Sequence, residues 1–135
     1  MKVEGGCYCK AVRYTAEGEP LFKGQCHCRE CQYISGGSPN VIMAMPKATF
    51  RYTQGRPKAF KRGDLANPVT REFCGECGTH LTSLTAGLPD AVLIKVGTLD
   101  DPSVFGTPQM AIFTVDKQAF HHVPGGIPSF ERLPG

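Results

Sequence analysis

Cys26-His27-Cys28-Arg29-Glu30-Cys31 places three thiols within six residues. A second close pair, Cys7-Tyr8-Cys9, lies upstream, and a third, Cys74-Gly75-Glu76-Cys77, lies downstream. All seven cysteines of the chain fall in these clusters. Thiolates grouped in this way are the ligand set of zinc, which takes four donors in a closed structural site and keeps one position open in a catalytic one.

Cys74 and Cys77 have the spacing of a zinc knuckle. Two intervening residues let the backbone turn and present both sulfurs to one ion, and Gly75 and Gly78 permit the tight turn. Two further ligands are required, and Cys7 with Cys9 is the natural pair. On a strand, Cys7 and Cys9 would face the same side. The competing reading of Cys74 and Cys77 is a redox dithiol, against which stand the flanking glycines and the lack of a βαβ pattern.

Cys26, Cys28 and Cys31 then remain as three ligands for a second ion. Its fourth position is either open, and available to water, a thiolate or a carbonyl oxygen, or closed by one of His27, His80, His121 and His122. The spacing favours neither. A reversible disulfide, Cys28–Cys31 or Cys26–Cys31, is a third possibility. His27 lies between two ligands and, on an extended segment, points away from them. His80 is expected to hydrogen-bond its own turn. His121 and His122 are expected on a strand, one inward and one outward. Arg29 and Glu30 are expected to face solvent, where Arg29 can also attract an anionic substrate. No general acid or base stands out.

The elements that must position these thiols are short. Cys7–Tyr14 alternates like a strand. Leu21–Cys26, Val41–Met45, Phe50–Thr53, Ala59–Arg62, Ala91–Gly97 and Met110–Val115 also read as strands, and Ala119–Val123 as a weaker one. Thr70–Phe73 and Leu81–Leu84 flank the knuckle as hairpin arms. Asp100-Asp101-Pro102 starts a short helical turn. With 16 Gly and 11 Pro, the chain offers no amphipathic helix of ordinary length. The expected fold is mainly β, built of small antiparallel sheets joined by zinc sites.

Composition narrows the function. A chain of 135 residues that is 41% hydrophobic suits one domain spanning 1–135. Fifteen Lys and Arg against 12 Asp and Glu, interspersed, make no nucleic-acid footprint. No secretory signal pattern and no membrane-length apolar run occur, so a cytoplasmic protein with reduced thiols is expected. An odd number of cysteines also argues against a complete disulfide framework.

The segments Gly-Gly-Cys-Tyr-Cys-Lys-Ala-Val-Arg-Tyr, Cys-His-Cys-Arg-Glu-Cys-Gln, Arg-Glu-Phe-Cys-Gly-Glu-Cys-Gly-Thr and Val-Gly-Thr-Leu-Asp-Asp-Pro together resemble the glutathione-dependent formaldehyde-activating (GFA) family, whose domain is similar to that of centromere protein V. The resemblance runs from about Gly5 to the C-terminal tail. It implies a β-tent fold with two zinc ions: a structural one on Cys7, Cys9, Cys74 and Cys77, and a catalytic one on Cys26, Cys28 and Cys31. It implies a carbon–sulfur lyase that adds the thiol of glutathione to formaldehyde, giving S-hydroxymethylglutathione. The alternatives are a non-catalytic zinc-binding interaction module and a thiol redox protein.

Overall fold

The computed structural model describes residues 1–134 and is mainly β. Ten strands run in chain order: β1 (Lys2–Gly6), β2 (Arg13–Glu17), β3 (Phe22–Cys26), β4 (Asn40–Pro46), β5 (Arg51–Gln54), β6 (Lys58–Phe60), β7 (Thr70–Phe73), β8 (His80–Leu84), β9 (Ala91–Lys95) and β10 (Met110–Ile112). One α-helix, α1 (Arg29–Ser35), separates β3 from β4. Strands β1, β2 and β5 form a three-stranded sheet, and the others form a seven-stranded sheet in the order β10-β3-β4-β9-β8-β7-β6. Every pairing is antiparallel except β10 with β3, which is parallel, so the larger sheet is mixed rather than purely antiparallel.

The larger sheet has two differently used faces, because successive side chains on a strand alternate. Met43, Met45, Val92 and Ile94 point to one face and pack against Val3, Tyr14 and Ala16 of the small sheet. Tyr14 is 1% exposed, stacks on Phe50 at 5.4 Å and places its hydroxyl 2.7 Å from that of Thr98. Truncating a side chain as enclosed as Ile94, which has no exposed surface, to alanine costs about 2–5 kcal/mol. Tyr52 of β5 reaches across the layers, donating to Glu72 Oε1 at 2.9 Å with its oxygen 3.0 Å from Thr82 Oγ1.

The opposite face carries the chemistry. The register pairs Cys26 with Asn40, Ile42 with Lys95, Leu93 with Ser83, and Ser83 with Arg71. These side chains therefore share one surface of the sheet. Helix α1 packs over its β4 end, with Cys31 and Gln32 buried.

Three local expectations change. Cys7 and Cys9 lie not on a strand but on a turn between β1 and β2. The turn brings the two sulfurs to 3.6 Å, well inside the roughly 6.6 Å between successive same-side residues of a strand. Here Cys7 O accepts from Lys10 N at 3.0 Å, Cys7 N donates to Val12 O at 3.0 Å, and Lys10 takes a left-handed φ of 68°. The segment after Cys28, for which no regular element was expected, is helical. The Cys28 sulfur caps it by accepting from Cys31 N at 3.3 Å, and Gly36 ends it with a φ of 77°. Ala119–Val123 is turn and irregular chain rather than strand, and Met110–Val115 is strand only to Ile112. The hairpin around the knuckle forms as expected, as does the helical turn after Asp101, a 3-10 segment at Pro102–Phe105 capped by the Asp101 carboxylate.

Candidate metal centres

Cys7, Cys9, Cys74 and Cys77 converge with all four sulfurs within 4.8 Å of one another. Cys7 and Cys9 Sγ lie 3.6 Å apart, and Cys9 and Cys74 Sγ lie 3.8 Å apart. Four sulfurs at a zinc–sulfur distance of about 2.3 Å stand about 3.8 Å from each other at tetrahedral corners, so these positions fit the ion. Donors aim at the sulfurs as thiolates require: Val12 N to Cys7 Sγ at 3.2 Å and Glu76 N to Cys74 Sγ at 3.4 Å. Thr79 Oγ1 accepts from Tyr8 N at 3.1 Å and lies 3.1 Å from Cys77 Sγ, so its own hydrogen is free to point at that sulfur. One hydroxyl thus ties the N-terminal turn to the knuckle.

Cys26, Cys28 and Cys31 form a second group with sulfurs within 4.8 Å of one another. Cys26 ends β3, Cys28 caps α1 and Cys31 sits in its first turn. Cys26 and Cys31 are buried and Cys28 is half-buried. Asn40 Nδ2 donates to Cys31 Sγ at 3.6 Å. Hydrogen bonds from Cys26 and Cys31 hold the Cys28 thiol down at about 2, and the bond from Cys26 to Cys28 pushes Cys26 strongly up. Three thiols this close share their protons through hydrogen bonds, and a divalent cation displaces those protons, which is the chemistry of a thiolate metal site.

No histidine or carboxylate joins the trio among the described residues. His27 turns away, as its place between two thiols of the trio predicts. It is fully buried, with Nδ1 2.9 Å from His121 Nδ1 and Nε2 2.9 Å from Gln25 Nε2. Gln32 Nε2 donates to His27 O at 2.8 Å and to Asp116 O at 3.0 Å, pinning the loop backbone. His121 is buried and His122 exposed. His80 does not bond its turn: its ring lies 5.6 Å from that of Phe73, and its Nδ1 is buried without a partner. Burial and the nearby Lys95 and Arg71 charges hold the His80 imidazole below its usual value.

Arg29 is exposed and stacks its guanidinium over Tyr33 at 5.1 Å. Glu30 is not simply solvent-facing. It accepts from Arg71 at 2.9 Å and lies 3.7 Å from Arg62, clamping α1 to the sheet. Sequence reasoning missed Arg71, Ser83 and Lys95. Lys95 is 8% exposed, and its Nζ donates to Ser83 Oγ at 2.6 Å. Burial lowers its ammonium to about 8, with the thiols of Cys31, Cys26 and Cys28 acting in the opposite direction. The available signal was a lone charge in the apolar run Ala91–Val96, since lysine is seldom buried without a purpose. Two surface hollows, of about 330 and 250 Å³, open beside Arg13 and Arg51 and beside Leu99 and Val104, apart from either thiol group.

A mainly β protein with two convergent cysteine sites able to hold metal ions is the class these features define. The profile of the family described as glutathione-dependent formaldehyde-activating enzyme matches residues 2–116, and the chain belongs to that family. A crystal structure of a Rhodobacter sphaeroides protein has a similar fold, with a TM-score of 0.61 at 18% identity, covering 93% of this chain and 98% of that one. No curated protein matches the chain. Among the described residues, no helix is long and apolar enough to cross a membrane.

Proposed function

We propose that this protein is a zinc-dependent enzyme of the carbon–sulfur lyase type, joining the thiol of glutathione to formaldehyde or another small aldehyde, and that residues 1–135 act as one domain. The family supports the reaction class. The observation that carries the assignment is the contrast between the two thiol groups: four convergent sulfurs in one, three in the other with no fourth protein ligand among the described residues. Cys7, Cys9, Cys74 and Cys77 would hold a structural zinc, and Cys26, Cys28 and Cys31 the catalytic one. When bound, the second ion supplies Lewis acidity, which lowers the pKa of a thiol or polarises a carbonyl.

The chain's own residues do the rest. Cys28 is the most exposed residue of the three. Asn40 and the Cys31 amide steady Cys31 and Cys28. Gln32 fixes the loop that sets their spacing. Bringing thiol and aldehyde to one surface removes the entropic cost of their encounter.

The test is the exchange rate between formaldehyde and glutathione, followed by NMR with zinc-loaded and chelator-stripped protein. A rate above the spontaneous background that requires the trio's zinc upholds the reading. A rate equal to background with two zinc ions per chain defeats it.

A further inference from the structure

We propose that Lys95 is the oxygen-binding half of this centre: the trio takes sulfur, and the Lys95 ammonium takes the aldehyde oxygen and protonates it as the carbon–sulfur bond forms. This deepens the function proposed above and rests on it for the reaction, though not for the anion site.

An ammonium has three N–H donors. Lys95 is 8% exposed, its one hydrogen bond is to Ser83 Oγ, and no carboxylate pairs with it among the described residues. Its neighbour Arg71, by contrast, is matched by Glu30. The opposite charges it feels among the described residues are the thiols of Cys31, Cys26 and Cys28, so the ammonium is directed toward the trio rather than tied to a carboxylate. The strand register agrees with that direction. Lys95 pairs with Ile42, and two residues along the same strand face is Asn40, which donates to Cys31 Sγ and pairs with Cys26. Lys95 therefore lies on the same surface as the trio. His80, near enough to feel the Lys95 charge, adds an unpartnered buried Nδ1. An ammonium on that surface can hand a proton to an oxygen held there.

The step balances. The thiolate sulfur forms a bond to the carbonyl carbon. The π pair of the C=O bond moves to oxygen, and oxygen takes a proton from Lys95 Nζ. The next thiol to enter returns its S–H proton to the amine as it becomes a thiolate. The sum is addition of a thiol to an aldehyde, with no other reactant.

Formate is the probe, being a one-carbon anion that presents oxygen where formaldehyde would. Its binding to the zinc-loaded protein is measured by calorimetry, beside thiol-addition turnover, for the wild type, Lys95→Met and Lys95→Arg, each with zinc content verified. Lys95→Met is expected to weaken formate binding about tenfold or more and to slow turnover about a hundredfold. Lys95→Arg, charged but unable to release its proton, is expected to keep formate binding and lose turnover. It carries the same test if Lys95→Met fails to fold. Formate binding that is undetectable in the wild type, or equal in wild type and Lys95→Met, overturns the anion site. Full turnover in Lys95→Arg overturns the proton transfer. Lys95-dependent formate binding in a wild type that does not accelerate thiol addition upholds the anion site and refutes the reaction.

Discussion

His27 and His121 meet Nδ1 to Nδ1 at 2.9 Å, and the groups around them fix which nitrogen holds each proton. Gln25 Nε2 donates to His122 O at 3.0 Å and lies 2.9 Å from His27 Nε2, so His27 Nε2 accepts its second hydrogen. His27 Nδ1 must then donate to His121, and His121 Nε2 donates to Gly37 O at 2.6 Å. Both rings are neutral in this chain of bonds. Replacing His121 with alanine strands the His27 N–H in the interior, at a cost of about 1–3 kcal/mol. Urea unfolding measures that loss, and chelator competition should show zinc leaving the Cys26–Cys31 loop sooner while the other ion stays. An unchanged urea midpoint would deny the pair its structural role.

The two thiol groups should respond differently to loss of one ligand. Cys9→Ser removes a corner of the quartet that joins the N-terminal turn to the knuckle, so metal and fold are expected to go together. Cys28→Ser is expected to lower zinc from two ions to one per chain and to abolish activity while the near-UV circular dichroism persists. Equal unfolding in both variants would contradict the division of labour.

Lys95 should leave a mark on the pH dependence of stability. Its folded value of about 8 lies below the ordinary 10.5, chiefly through burial, with Arg71 lowering it and the thiols opposing. Between these values the unfolded chain binds a proton that the native chain does not, so stability rises with pH across that window. Below pH 8 both states hold the proton and the burial penalty is in full force. Above 10.5 it is gone. The rise is at most about 3 kcal/mol. Denaturant titrations of zinc-loaded protein at pH 7.5, 9 and 10.5 should show it in the wild type and not in Lys95→Met.

Glu30 holds α1 against β7 through Arg71, whose side chain is only 11% exposed. Glu30 itself is 40% exposed, so solvent screens the pair. Glu30→Gln should cost about 1 kcal/mol in stability. It should also raise hydrogen exchange in α1 above that in β9. Unaltered exchange in α1 would show that Gln32 alone secures the helix.

The seven cysteines were legible because metal ligation depends on residue type and spacing, and both are written along the chain. The grouping of Cys7 and Cys9 with Cys74 and Cys77 was legible for the same reason, although their local backbone was not: parity suggested a strand, where the chain makes a turn. Helix α1 escaped because its buried residues, Cys31 and Gln32, give no apolar period, and its cap is a sulfur rather than Ser, Thr, Asp or Asn. His27 and His121 are 94 positions apart, and Lys95 comes onto the trio's face of the sheet only through strand register. Such partnerships arise from pairing across the sheet, which no local pattern encodes.

The trio is complete once residue 31 has been made, whereas the quartet must wait for residue 77. A ribosome-bound chain therefore exposes five sulfurs well before the last two emerge. During that interval Cys7 and Cys9 have no cysteines in the chain to meet but those of the trio, so the quartet can close only after β7 and the knuckle have been synthesised.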